Sequence, residues 1–221
     1  MQYNTLYISL GIQCLTPNIL KKNNLRKKSY PFDWIISNPY FVYKMLYLLL
    51  EEGMDVNKIV REHFFRNDQK CWRDRFEHYK FGKNGSAICN QLYNVVFPHD
   101  EYNEETINKY IRRFERLKKD ILDTSHKIQF IYISQSSLKS GNFTINGKEV
   151  IENVYENMNN INMLLKKYNK NINIMLFDSI KNENINILSK EIKIQKISPK
   201  QRWPQLINEV NKILSEHIQL L

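Results

Sequence analysis

Short apolar runs that alternate with amphipathic helical segments constrain the fold of this chain more than any other feature. Runs typical of buried strands occupy residues 5–10, 127–134, 172–178 and 192–197. Between the second and third runs, apolar residues recur at helical spacing from Val154 to Leu165, and a longer helical pattern joins Ile107 to Ile121. Strands that alternate with helices favour a largely parallel sheet. We therefore predict an α/β fold with a mostly parallel, doubly wound, Rossmann-like sheet that is flanked by helices.

The long connection between the first two strands departs from this alternation. An apolar helix is expected over residues 40–52, closed by Gly53, and Asp55 is a suitable N-cap for a second helix through Phe64. Residues 66–100 show no single period, although a strand is expected at 93–97. We predict an irregular, mainly helical insertion at about 40–100, with 66–100 as an added lobe or lid, in a single α/β domain over 1–221.

The charge of the chain suggests a polyanionic partner only weakly. The formal net charge is +10, but the excess comes from 24 Lys against 9 Arg, and Arg is the residue preferred for bidentate phosphate recognition. Residues 70–81, KCWRDRFEHYKF, interleave basic and aromatic side chains as a single-strand nucleic-acid surface does. A helix with a solvated charged face explains this stretch equally well. Nucleic acid is therefore kept as an alternative partner that is not favoured.

The remaining composition points to a protein without metal or cofactor in the reducing cytoplasm. Cys14, Cys71 and Cys89 are too few and too irregularly spaced for a disulfide scaffold, and no CxxC pair is present. The chain contains no HExxH, Walker A or GxGxxG motif, so neither a metal nor a nucleotide loop is indicated. No signal-peptide pattern is evident, and the most apolar run, 41–50, is too short to span a bilayer.

Cys14 lies three residues after Gly11, where the first strand stops and a helix is expected to begin. Ligands of open parallel sheets bind at the carboxyl ends of strands, beside helix N-termini. The partial positive charge of a helix N-terminus favours a thiolate over a thiol, and such a cysteine can act as a nucleophile. The competing interpretation is that Cys14 is a small buried apolar residue, as most free cysteines are.

A thiol nucleophile needs a base, and His99 is the best placed of the five histidines. It follows the strand in VVFPHD, in a loop that Pro98 bends. A third group normally orients the base. Asp100 follows directly, whereas Asp33 and Asp178 are rivals near turn or strand ends, and the sequence does not decide among the three.

Several motifs together resemble an uncharacterised family described as papain-like cysteine peptidases. They are ISLGIQC, LRKKSYPFDWI, FPHD and the RRFERL stretch at 112–117. The resemblance covers most of the chain and implies a thiol peptidase. A papain-like fold, however, sets the cysteine helix against an antiparallel sheet, whereas the order of elements here predicts a parallel one. The resemblance marks six positions: Cys14, Arg26, Ser29, Asp33, His99 and Asp100.

These observations lead to one principal hypothesis. Cys14 is expected to be the nucleophile of a cysteine hydrolase or acyl transferase, His99 its base, and Asp100 or Asp33 the orienting acid, with an unidentified peptide or acyl substrate and no cofactor. The alternative is a Rossmann-like module that binds a sugar or nucleotide, in which Cys14 is passive. We expect Phe32 and Trp34 to be buried close to the Cys14 helix. The expected substrate-binding residues are Ser9, Gly11, Arg26, Ser29, Phe32 and Trp34.

Overall fold

The computed structural model of the chain describes residues 5–11, 14–68, 88–134, 143–145, 148–150, 153–178, 192–197 and 203–219. The strands in these ranges are β1 (Thr5–Ser9), β2 (Ile88–Asn90), β3 (Val95–Phe97), β4 (Lys127–Ser134), β5 (Phe143–Ile145), β6 (Lys148–Val150), β7 (Ile172–Asp178) and β8 (Ile192–Lys196). The helices are α1 (Leu15–Lys22), α2 (Pro39–Leu50), α3 (Val56–Lys58), α4 (Glu104–Leu122), α5 (Val154–Tyr168) and α6 (Trp203–Gln219). A π-helical segment, Ile59–Phe64, continues α3.

Helix starts follow from local side-chain chemistry. Asn38, Asp55, Asn103 and Asn153 each precede a helix, and each accepts a hydrogen bond from the backbone N–H three residues on. Such caps satisfy one of the N–H groups that lack a partner in the first turn. The predicted cap at Asp55 is confirmed, and the expected helix through Phe64 is present with its second half wound as a π-helix.

The central sheet has the order β1-β4-β7-β8, and every neighbouring pair is parallel. In one row across the sheet, Ile8 pairs with Phe130, Phe130 with Ile174, and Ile174 with Ile192. The prediction that the strands at 5–10, 127–134 and 172–178 lie side by side and parallel is confirmed. The antiparallel alternative suggested by the family resemblance is therefore wrong for this sheet.

Helices cover both faces of the sheet, as the near-continuous apolar character of the strands requires. Ile8, Phe130 and Ile174 face a core built with α2, α4 and α5. The residues one position further along β4 and β7, Ile131 and Met175, face a second core built with α1 and α6. The predicted α/β architecture of a mostly parallel sheet between helical layers is thus confirmed.

A small antiparallel hairpin, β2–β3, lies outside the main sheet. The expected strand at 93–97 is present as β3, and an isolated bridge pairs Val96 with Ile36. The hairpin therefore joins the segment that follows the PFDW motif to the loop that carries His99. Residues 69–87 lie outside the described residues, so the lobe over 66–100 and the basic aromatic stretch at 70–81 stay predictions.

The cysteines differ in state. Cys14 is a free thiol, whereas Cys89, in β2, is disulfide-bonded. The sequence reasoning did not anticipate this bond. In the described part of the chain, no helix is both long and apolar enough to cross a membrane.

Candidate active site around Cys14

A glycine turn links β1 to α1. Gly11 has a φ of +90°, and a Cβ at this position would stand 2.4 Å from Ser37 Oγ and 3.6 Å from Phe32 Cβ. Only glycine adopts such a conformation without strain. The Gly11 N–H donates to Ser9 Oγ at 3.1 Å, and Ser9 itself is buried. Ser9 and Gly11 thus shape the turn, and the segment 32–37 packs directly against it.

Cys14 is the N-cap of α1 and is half-buried. Its carbonyl accepts from the Asn18 N–H at 3.2 Å, so the expected strand-turn-cysteine-helix arrangement is confirmed. The expected low pKa is wrong, however. Burial raises the pKa of the Cys14 thiol, and only the backbone N–H of Cys14 itself opposes this. Loss of hydration disfavours the thiolate more strongly than this hydrogen bond favours it. Burial therefore favours the protonated thiol.

The first turn of α1 contains a buried polar group without a partner among the described residues. Thr16 is fully buried, and its Oγ1 makes no hydrogen bond to any of the described residues. Pro17, also buried, has no N–H to contribute to the turn. A buried hydroxyl without a partner costs free energy on folding.

The aromatic residues of the PFDW motif behave differently from each other. Phe32 is fully buried and packs edge-on against Phe41 and Phe114, with ring centroids 6.4 and 6.1 Å away. It belongs to the core on the α2 and α4 side of the sheet, so it reaches the site through the Gly11 turn rather than through α1. Trp34 is only half-buried. The expectation that both rings are buried against the Cys14 helix is therefore corrected.

The polar residues of the same motif form one hydrogen-bonded network. Asp33 Oδ2 accepts from Arg26 Nε at 3.2 Å, from Arg26 Nη2 at 2.9 Å and from the Tyr30 N–H at 3.0 Å. Arg26 Nη2 also donates to Ser29 Oγ at 2.8 Å, and Arg116 Nη1 donates to the Ser29 carbonyl at 2.6 Å. Burial raises the pKa of the Asp33 carboxyl, while the Arg26 guanidinium lowers it. Arg26, Ser29 and Asp33 thus hold the loop at 26–33 in place.

Trp34 connects this network to His99. Its backbone has a φ of +66°, and the Arg26 Cζ lies 5.7 Å from the centre of its ring. The imidazole of His99 meets the indole at a centroid distance of 6.3 Å and an angle of 83°. His99 itself is classed among the exposed residues. The structure therefore brings His99 to the PFDW loop, and that loop to the Gly11 turn.

Asp100 contacts α4. Its Oδ1 accepts from Lys109 Nζ and its Oδ2 from Tyr110 Oη. Burial and the Asp100 carboxylate raise the pKa of the Tyr110 hydroxyl well above its usual range. Both carboxylate oxygens are thus engaged with α4, which gives Asp100 a role in anchoring the loop that presents His99.

Asp178, the other candidate acid, lies elsewhere. It is buried at the end of β7, where Tyr155 Oη donates to its Oδ2 at 2.7 Å and Lys196 Nζ at 2.5 Å. β7 is two strands away from β1, and neighbouring strands are about 4.8 Å apart, so roughly 10 Å separates the two strand axes. Asp178 therefore belongs to a separate cluster with Tyr155 and Lys196.

The sequence reasoning missed the anchor of the motif loop on α4. Asp120 is buried and accepts from Tyr30 Oη at 2.7 Å and from Lys28 Nζ at 2.8 Å. The sequence could have indicated that Asp120 is buried, because it lies three residues after Leu117 and so shares the apolar stripe of α4. Among the described residues, no three His, Cys, Asp or Glu side chains cluster in a way that holds a metal ion.

The fold and site define an α/β protein with a free cysteine at the junction of a parallel strand and a helix. Residues 5–188 match the family model described as putative papain-like cysteine peptidase, and the chain belongs to this family. The match runs from β1 past the end of β7 and includes every residue of the site. Neither the curated proteins nor the solved structures gave a match.

Proposed function

We propose that this protein is a cysteine-dependent hydrolase or acyl transferase that acts on a peptide or another acyl compound. Cys14 is the nucleophile and His99 the base. The observation that carries the proposal is the chain of contacts from Cys14 to His99. Cys14 follows the Gly11 turn, Phe32 and Ser37 pack against that turn, and Trp34, in the same segment, contacts His99.

Because burial favours the protonated thiol, the proposed base works during the attack and not beforehand. The Cys14 sulfur bonds to the acyl carbon while its proton passes to His99, and the leaving group departs with that proton. Water or an acceptor nucleophile then releases the acyl group from sulfur. The N–H groups of Leu15 and Thr16 lie in the first turn of α1, which leaves them free of helical partners and suited to stabilise the developing oxyanion.

Neither carboxylate near His99 is assigned to proton transfer. Asp33 is hydrogen-bonded by Arg26 and Tyr30, and Asp100 by Lys109 and Tyr110. We propose that both act as anchors, one for the PFDW loop and one for the His99 loop. Substrate contacts are proposed for Trp34, whose indole is half-exposed, rather than for Phe32, which is fully buried.

The test is trapping of an acyl intermediate. The protein is mixed with p-nitrophenyl acetate, release of p-nitrophenol is followed, and the acetylated residue is located by peptide mass spectrometry. We expect a burst with the acetyl group on Cys14, no burst for Cys14→Ser, and a rate lower by about 100-fold or more for His99→Ala. His126→Ala is the matched control, because His126 lies beside Asp123 before β4, away from the site. Full acetylation of Cys14 in His99→Ala would contradict the role of His99.

A second candidate function is favoured by the raised pKa of Cys14. A protonated thiol that is half-buried at a strand end fits a ligand-binding module in which the cysteine is passive. In that case p-nitrophenyl acetate gives no burst. We then expect a sugar or nucleotide from a panel of such ligands to raise the melting temperature of the protein. The same ligand should raise the melting temperature of Cys14→Ser by an equal amount.

A further inference from the structure

Trp34 carries backbone strain at the centre of the PFDW loop. Its φ of +66° lies in the left-handed region, where a bulky aromatic residue is a genuine outlier. Glycine adopts this conformation freely, so the loop itself does not require a tryptophan. Strain of this kind persists only where the surroundings over-determine it, and it concentrates at functional sites. The indole is therefore retained for a contact that it makes.

The Trp34 indole is held in place by residues of its own loop. The N–H of Asp33 donates to the Tyr30 carbonyl at 3.3 Å, and the Asp33 side chain is bound by Arg26. Arg26 in turn places its guanidinium 5.7 Å from the centre of the indole, within range of a cation–π interaction. The Arg26–Asp33 pair thus fixes both the backbone before Trp34 and the position of its ring.

His99 is the other partner of the ring contact with Trp34. Its backbone is fixed by neighbouring residues, but its ring is exposed. Pro98 is buried before it, and Asp100 is bound to Lys109 and Tyr110 after it. These flanking contacts locate the Cα of His99 and leave rotation of the imidazole to other contacts. The edge-to-face packing on Trp34, at 6.3 Å and 83°, supplies such a contact.

We propose that Trp34 is a positioning residue that sets the orientation of the His99 imidazole, with the Arg26–Asp33 pair acting through it. The catalytic consequence rests on the proposed function, because a base must point at the proton that it removes. The orientation itself does not depend on that function. In this proposal the Arg26–Asp33 pair holds the strained loop, and the loop holds the His99 imidazole in one orientation through Trp34.

The experiment uses the imidazole as its own reporter. The ring protons of His99 are followed by nuclear magnetic resonance in histidine-labelled protein and are assigned by their loss in His99→Ala. In the wild type we expect them displaced by the ring current of Trp34. In Trp34→Gly this displacement should be lost, while in Trp34→Phe part of it should remain. Asn24→Gly is the matched control, since Asn24 also has a positive φ, +56°, and is exposed after α1.

The second readout separates positioning from packing. Trp34→Gly removes the strain, so we expect its urea midpoint to stay close to that of the wild type. The rate of its p-nitrophenyl acetate burst should nevertheless fall as far as in His99→Ala. The double variant should be no slower than either single variant, because both act through one imidazole. Unchanged His99 ring signals in Trp34→Gly would overturn the proposal. Displaced signals with no effect of His99→Ala on Cys14 acylation would sustain the positioning role and refute the proposed function.

Discussion

Removing the guanidinium of Arg26 is the sharpest test of how the motif loop is built. In Arg26→Met the Asp33 carboxylate loses two hydrogen bonds, from Nε at 3.2 Å and Nη2 at 2.9 Å, and keeps only the one from the Tyr30 N–H. The Asp33 side chain is 2% exposed, against 18% for Arg26, so the carboxylate cannot reach water in compensation. Breaking a buried pair in this way costs about 3–5 kcal/mol. Because Arg26 is partly solvated, we expect the lower end, about 3 kcal/mol.

The penalty should depend on pH with a defined sign. Burial raises the pKa of Asp33 in the folded protein, and loss of Arg26 raises it further above the unfolded value of about 3.9. A raised carboxyl pKa gives stability that is present at low pH and lost as pH rises through the folded pKa. The destabilisation of Arg26→Met should therefore be larger at pH 7 than at pH 5, changing by at most about 1.4 kcal/mol per pH unit.

The assay is urea unfolding followed by far-ultraviolet circular dichroism at both pH values. Asp33→Asn is the paired variant, and we expect it to cost less and to be nearly independent of pH, because the partly exposed Arg26 side chain can turn to water. Arg61→Met is the control, since it breaks only exposed contacts, with Glu104 and Asn57, and should leave the midpoint unchanged. A cost for Arg26→Met that equals that of Asp33→Asn, or that is the same at pH 5 and pH 7, would refute this reasoning.

Three further predictions concern the junction of β1 and α1. Thr16→Val should stabilise the protein by about 1 kcal/mol, read from the urea midpoint, because it removes a buried hydroxyl that lacks a partner; a loss of stability would show that Oγ1 is bonded. Gly11→Ala should cost about 1–2 kcal/mol through its φ of +90°, and more if Ser37 Oγ, 2.4 Å from the new Cβ, cannot turn away. The alkylation rate of Cys14 by iodoacetamide should rise with pH to an inflection above the usual value of about 8.5, since burial raises the thiol pKa. An inflection below 7 would mean that a charged partner outweighs burial.

The sequence by itself determined the strands and helices of the fold and the position of Cys14 at the end of the first strand. Strand positions follow from runs such as KIQFIYIS at 127–134, and helix starts follow from caps such as Asn103 and Asp55. These are local properties, because a cap acts on an N–H three residues away and an apolar run needs burial of its own side chains. The placement of Cys14 at the end of β1 was therefore readable before any tertiary contact was known.

Only the tertiary structure showed which partners the site residues contact. The sequence offered both Asp33 and Asp100 as the acid that orients His99, and the structure shows that Arg26 binds the first and that Lys109 and Tyr110 bind the second. Cys14 looked ready to ionise, yet its burial raises the pKa. Hydrogen-bond partners and desolvation depend on which distant segments pack together, and a spacing pattern does not contain that information. The contact between Trp34 and His99 could not be predicted from the sequence for the same reason. The two residues are 65 positions apart, and the bridge between Ile36 and Val96 brings their segments together.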